Sequence, residues 1–472
     1  MILTGIKMNF NQLEKEIHFR CNELGRNVIA AVLKEWDEEL RENRDNEVYR
    51  HKGCRKGSIK TIFGVVEYER ARYEIWENGI KVGTVYLLDE ALGDVGSRRM
   101  SGMLAAQIVT TSCEVPYRHA SRAVSEMTGQ QISHTTAWKV VQTLGSRLLE
   151  EESAAVKLAS KGEGIGTLET KILFEEQDGV MIRLQGQSRK EHGEKREMKV
   201  AIAYDGAKKV GKKNRYELTN KVACASFEEA ADFAEHKEGI IAKTYNVDEI
   251  DIRILGADGA SWARRSQTSE TVHFQLDPYH RNIAITRNIS DVETRKLILK
   301  LMYSKEIDFM LDVIEAYANS VDDEEERKNA LNLHNYFTNN KDGLVSYKRR
   351  GLDLPEPPEG KKYLNLGAME SNVFTLIGNR MKGNRCLWSI KGGNHLASFL
   401  CLYHTKKLGG FLDSLGSCVL PERYEEEVTI RMSAAKVPVR EGKGYDGYHS
   451  FRVPSSMQWL RDIAKIKTVL SH

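Results

Sequence analysis

Apolar residues recur at steps of three and four from Asn9 to about Arg44: Leu13, Ile17, Leu24, Val28, Val32, Trp36 and Leu40, with charged residues between them. That period predicts one long amphipathic helix within residues 1–50. Its stripe needs a partner surface, either its own domain or a second copy of the chain. Between Gly57 and Glu74 the period falls to two. Ile59, Thr61 and Phe63, then Val66, Tyr68 and Arg70, flank Gly64 and predict two strands around a turn, a small β unit within 51–96. Its Arg and Tyr content suits phosphate contact and base stacking, and a plain structural hairpin fits equally. Helical spacing returns over 97–155. Pro116 to Gly129 sets Ala120, Val124 and Met127 on one face. The next segment sets Ala137, Val140, Val141 and Leu144 on another, with the Ser133 hydroxyl as its cap. Two helices around a Gly-containing turn make a helix-turn-helix. On DNA, that unit would face Ser133, His134, Thr135, Thr136 and Lys139 into a major groove, although helical hairpins are common without that use.

Over 165–290 the two periods alternate. ETKILFEE, VMIRLQG, EMKVAIAY and IDIRILGADG read as strands, with Val200, Ile202 and Tyr204, and Ile250, Ile252 and Ile254, on alternate positions. SFEEAADFAEHKEGIIAKTY reads as a helix, VHFQLD as a strand and YHRNIAITRNI as a helix. The order is three strands, then helix, strand, helix and strand. Residues 291–363 are helical and highly charged, include DDEEERK and end in DLPEPPEGKK, the pattern of a helical insertion. Residues 364–410 resume with a helix that carries Glu370. Val373, Phe374 and Ile377, with Leu376 and Met381 alongside, give that helix a face to pack on the sheet. Residues 411–472 mix helix and basic loop and receive no role.

Bulk composition adds bounds. A chain of 472 residues, 41% hydrophobic, has room for two to four domains. The net charge of +3 does not by itself point to a polyanion, so local clusters carry that argument. They are Arg50 to Lys60, Lys208 to Arg215 and Tyr347 to Arg350. Seven cysteines without a CxxC pair fit reduced thiols and give no zinc ribbon. No signal pattern and no apolar run near ~20 residues is seen, which predicts a cytosolic protein without a membrane partner.

Three carboxylates stand at suggestive positions: Asp178 in QDGV, Asp258 in GADGASW and Glu370 in GAMESNV. Brought together by a fold, they would make a divalent-metal site suited to phosphodiester chemistry. Each has a simpler reading alone. Asp178-Gly179 is a hairpin signal, Asp258-Gly259 a helix cap, and Glu370 a first-turn residue favoured by the helix dipole. Glu175 and Glu176 rival Asp178, and Glu176 shares its strand face. Asp277 and His280 form a D-x-x-H pair at a strand-to-helix junction. A His there is more often a structural hydrogen-bonding residue than a ligand.

The ordered set of segments resembles the ISLre-type insertion-sequence transposases, a DDE class distantly similar to Mutator-type enzymes. The segments are CRKGSIKTIFGVVEYERARYE, FEEQDGVMIRLQ, LGADGASW, LDPYHRN and GAMESNVFTLIGNRMKGNRCLWSIKGGNHLASFL, and the likeness runs to about Leu408. It implies an α/β fold: an RNase H-like catalytic core with a helical insertion, after a mostly helical DNA-binding region with a small β unit. It implies that Asp178, Asp258 and Glu370 hold Mg2+ or Mn2+ and cut and join DNA strands. It further implies DNA partners at element ends and target, with Arg281, Asn282, Arg380 and Trp388 as DNA contacts (Trp388 fits the core more readily than a base-stacking wedge), a homodimer or higher oligomer on DNA, and a bacterial, nucleoid-associated location. Asp277 and His280 become supporting residues, at a junction where Mutator-like relatives carry Cys and His. Two alternatives stay open: a catalytically inactive or domesticated DNA-binding protein, and an RNase H-like structure-specific nuclease. Without metal, Asp178 and Asp258 are expected to be close, with Glu370 farther off but facing the same cleft.

Overall fold

The computed structural model describes residues 9–93, 99–211, 214–264, 270–383 and 385–414. Helix α1 (Phe10–Asn43) begins with a reciprocal capping box between Asn9 and Gln12. It lies on a four-stranded sheet of β1 (Tyr49–Thr61), β2 (Gly64–Glu77), β3 (Ile80–Val85) and β4 (Arg99–Met100), with α2 (Leu87–Ala91) before β4. The strand order is β3-β2-β1-β4. The β unit is therefore larger than the hairpin expected, because the basic stretch from Arg50 is itself strand. The predicted stripe on α1 is not its buried face: Ile17, Leu24, Val28 and Val32 are more than half exposed. The packing side is one step round, where Ile29, Leu33 and Leu40 meet Tyr68 and Leu88. Close approach selects it. Gly25 sits against Phe63, and Arg26 donates to the Phe63 carbonyl at 2.8 Å.

Helices α3 (Gly102–Glu114), α4 (Tyr117–Thr128) and α5 (His134–Ala159) follow. Gly129 ends α4 with a left-handed φ of 66°, and the Ser133 hydroxyl accepts from the Thr136 N–H at 3.0 Å. Ala120 and Val124 are buried as expected, as are all four apolar residues expected on α5; Met127 points outward.

The central sheet uses β5 (Ile172–Arg183), β6 (Lys195–Tyr204), β9 (Val222–Ser226), β10 (Ile252–Ala257) and β11 (Val272–Leu276). Between them lie α6 (Gly186–His192), the short strands β7 (Ala207–Lys209) and β8 (Tyr216–Leu218), α7 (Ala230–Ala242) and α8 (Ser261–Arg264). The order is β11-β10-β5-β6-β9. Strands β5, β10 and β11 are parallel, and β6 runs antiparallel to β5 and β9. Two expectations are corrected. The strands expected on either side of Asp178-Gly179 are one, because β6 pairs with it continuously from Phe174 to Arg183. The third antiparallel strand is VACAS, too short and small-residue-rich to show a period. Along β5, Ile172, Phe174, Val180 and Ile182 face the core with α5, and Leu173 faces Ile241 and Tyr245.

Helix α9 (Pro278–Asn288) leads into α10 (Val292–Ser304), α11 (Ile307–Ser320) and α12 (Glu324–Asn339), the expected helical insertion. Their apolar faces merge with Phe274 of β11 and Ile285 of α9. Strand β12 (Lys361–Lys362) joins β7 and β8. Then α13 (Met369–Val373), a π-helical turn (Phe374–Gly378) and α14 (Asn379–Met381) form one rod, followed by α15 (Ile390–His404) and α16 (Leu408–Asp413). The π turn corrects the face expected for this rod. Its wider turn rotates the register, so Leu376, Ile377 and Met381 are buried while Phe374 is 64% exposed. Residues beyond 414 lie outside the described residues, as does most of the segment left without a role. No helix among the described residues is long and apolar enough to cross a membrane.

Candidate metal centre

Three parallel strands deliver three carboxylates to one level. Gln177 pairs with Ala257, which pairs with Leu276. The next residue on each strand is Asp178, Asp258 or Asp277. Asp178 is half-buried within the β5–β6 ladder, and its Oδ1 accepts from the Gly179 N–H at 2.7 Å. Asp258 turns its Oδ1 to the Ala260 N–H at 2.8 Å, and its carbonyl accepts from the Tyr336 hydroxyl at 2.6 Å. Gly259 is required there: its φ is +88°, and a Cβ would meet Asn340 Oδ1 at 2.6 Å. Asp277 caps α9, with its Oδ1 accepting from the Tyr279 and His280 N–H groups. Burial and these two donors hold it as the cap of α9.

His280 and Glu370 complete the centre. One ligand atom from each of Asp178, His280 and Glu370 can be chosen so that all lie within 4.8 Å of one another. The His280 Nε2 is 3.6 Å from Asp178 Oδ2. The Asp178 carboxylate beside it raises the His280 pKa above the usual imidazole value, against burial, which lowers it. Asp258 stands beside this set rather than in it. Burial raises its pKa, opposed by the Ala260 N–H, and the nearby Asp178 raises it further. Glu370 thus reaches ligand distance of Asp178 without metal, nearer than expected, and His280 joins as a possible ligand. All still face one site.

The cause is Glu176, two residues before Asp178 and 1% exposed. Its Oε1 accepts from the Tyr204 hydroxyl at 2.6 Å, and its Oε2 from the Gly367 and Met369 N–H groups at 2.8 and 3.2 Å. The turn that begins the Glu370 helix is therefore tied to the strand that carries Asp178. Burial raises the Glu176 pKa. Glu175, on the other face, is sealed in an ion pair with Lys237 and Arg253, the latter at 2.6 Å. Neither rival is a ligand candidate. A fourth carboxylate, Glu197, was not singled out in the sequence. It folds across Gly179, where a Cβ would lie 2.1 Å from its Oε1. Burial raises its pKa; Lys199 opposes this, and Asp258 and Asp178 add to it.

The other named residues divide into surface and interior. Ser133, His134, Thr135 and Lys139 are exposed at the start of α5, and Thr136 is half-buried. Arg281 is half-buried and bonded to exposed Asn282, Nε to Oδ1 at 3.1 Å. Arg380 and Trp388, named as DNA contacts although Trp388 fits the core more readily, are 5% and 6% exposed. Arg380 Nε donates to the Ser112 carbonyl at 2.7 Å and Trp388 Nε1 to the Met381 carbonyl at 3.0 Å, so both are held inside.

Residues 3–410 match the model of a family described as an uncharacterised protein family, UPF0236. A UPF0236 protein in the vanSb 3′ region of Streptococcus gallolyticus is 23% identical over 435 residues, 90% of this chain and 89% of that protein. A UPF0236 protein of Caldanaerobacter subterraneus subsp. tengcongensis is 22% identical over 390 residues, 82% of this chain and 76% of its own length, and its name joins eleven labels. The matched span contains Asp178, Asp258, His280 and Glu370 together with the elements that carry them. The chain belongs to the UPF0236 family.

Proposed function

We propose that the protein is an insertion-sequence transposase that cuts and joins DNA strands with a divalent metal on an RNase H-like core. The observation that carries this reading is the convergence of Asp178, His280 and Glu370, with Asp258 alongside. The sheet supports it. Three antiparallel strands, a helix, then two strands parallel to the first, in the order β11-β10-β5-β6-β9, is the arrangement that the resemblance implies. A helical insertion before the last carboxylate agrees. So do the eleven labels on one relative's name, since copying a gene to many places would produce such a name.

The donor set fits a divalent cation. Among the described residues no Lys or Arg nitrogen lies within 4.0 Å of the Asp178 or Glu370 carboxylates, so neither is already neutralised by an ion pair. Two carboxylates suit Mg2+ or Mn2+, and an imidazole beside them favours Mn2+. When bound, such an ion supplies Lewis-acid polarisation of a phosphate oxygen and a more acidic attacking hydroxyl. The chain's own residues do the rest. Glu176 orients Glu370, Asp277 orients His280, and the Gly259 turn orients Asp258. The exposed start of α5 offers hydroxyls and Lys139 to a duplex.

The test is nicking, in Mn2+ and in Mg2+, of a DNA fragment that carries the gene with its own flanks. Asp178→Asn and Asp258→Asn keep the oxygens that accept from Gly179 and Ala260, so the fold should hold. Each should abolish nicking and leave duplex binding intact. Wild-type nicking by either variant would sink the reading.

A further inference from the structure

We propose that a cavity between the starts of α4 and α5 and the segment entering α15 accepts one unstacked nucleobase. The cavity is about 170 Å³, with Tyr117, Trp138, Trp388 and Arg380 among its walls and Gln185 and Leu387 exposed at its rim. An engineered cavity of ~150 Å³ holds benzene, so this space is sized for one ring system rather than a peptide or a lipid chain. The ring walls lie nearly perpendicular to each other, so one of them can take the face of a flat ring and the other its edge. Tyr117 and Trp388 meet edge to face with centroids 6.3 Å apart, and the Arg380 guanidinium lies 5.5 and 5.3 Å from their ring centres.

Arg380 is the discriminating group. It is 95% buried, and its Nη2 has no hydrogen-bond partner. Its other contacts are the Ser112 carbonyl and, at 3.9 Å, the Cys386 sulfur; no carboxylate within 4.0 Å offsets its charge among the described residues. A buried guanidinium left in that state seeks an acceptor. A base with acceptor atoms on its edge, guanine above all, satisfies it while its ring stacks on one aromatic wall. Trp138 belongs to α5, whose exposed start is four residues away, so a strand on that helix end would pass the mouth. The inference rests on the DNA reading only for the source of the base.

Cys386 lies in the cavity wall and is half-buried, which gives a probe that needs no substitution. The intact protein is alkylated with N-ethylmaleimide, metal-free, and the labelled thiols are mapped by peptide mass. Cys21 and Cys54, both exposed, are the internal controls. If dGMP binds with a dissociation constant of about 1 mM, ~10 mM dGMP slows alkylation of Cys386 about tenfold. Inorganic phosphate at the same concentration leaves it unchanged, and the controls do not respond to either. Protection by phosphate equal to that by dGMP, or no protection by dGMP, overturns the proposal. No cleavage is measured, so failure here leaves the strand-cleavage reading to its own assay.

Discussion

Glu176 offers the sharpest contrast between two substitutions at one position. Its carboxylate receives a hydroxyl and two backbone N–H groups in the interior. Glu176→Ala leaves up to three buried donors unsatisfied at about 1–3 kcal/mol each, so the loss should be about 3–9 kcal/mol. That is a large part of a typical ~5–15 kcal/mol total. Glu176→Gln should cost only about 1 kcal/mol, since its amide oxygen can serve both N–H groups. The Tyr204 hydroxyl can rotate to accept from the amide nitrogen. Burial, which raises the Glu176 pKa, penalises the charged form, and Gln carries no charge. Urea titration gives the stabilities, provided the slope is unchanged. In the nicking assay Glu176→Gln should stay active, and Glu176→Ala should lose activity even at temperatures where it is folded, because the Glu370 turn is untied. An inactive but folded Glu176→Gln would refute the reasoning and make Glu176 a metal ligand. Equal destabilisation by both would refute the hydrogen-bond account.

Two further outcomes are expected. Gly259→Ala meets both a left-handed φ and Asn340 Oδ1 at 2.6 Å, and should cost about 2–4 kcal/mol with loss of nicking; a change under ~1 kcal/mol in urea midpoint analysis would show that the turn can relax. His236 sits between Glu152 and Glu228 at 3.3 and 3.0 Å. Burial opposes its charge, but the two flanking carboxylates, Glu228 through a hydrogen bond to Nδ1, outweigh this and hold its pKa up to about 10. A raised folded-state pKa means that this stabilisation, at most about 5 kcal/mol, is complete below pH ~6.5 and fades as pH rises toward 10. Urea midpoints between pH 7 and 10 should therefore fall more steeply for the wild type than for His236→Asn; parallel curves would exclude the triad as the cause.

The sequence carried the carboxylates, the helical hairpin and the insertion, because each leaves a local mark: Asp-Gly, a capping Ser, a charged helical period. It misled where tertiary pairing overrides the local mark. Asp178-Gly179 reads as a turn, yet β6 runs along it without a break, so the pair is mid-strand. VACAS has no alternation because both its faces are covered. Phe374 fits an α-helical face and misses a π-helical one. His280 reads as structural because a His at a strand-to-helix junction usually is; nothing in one dimension says that its ring reaches Glu370. Glu176 was legible as a same-face neighbour of Asp178, but its bond to residues 367 and 369 spans some 190 positions and leaves no local trace.

The attachment of the insertion to the Asp258 turn has a consequence for cooperativity. Tyr336 donates to the Asp258 carbonyl, Asn340 fills the space that Gly259 leaves, and the insertion's apolar residues share one cluster with Phe274 of the sheet. A segment joined in this way cannot open on its own while the sheet stays shut. The three helices and the carboxylate turn should therefore behave as a single foldon, with their slowest amides exchanging together in a hydrogen-exchange measurement. Chain topology makes the insertion look like a removable module; its wiring makes it a structural wall of the centre, and a chain cut back to the bare sheet would lose the geometry of Asp258 along with the helices.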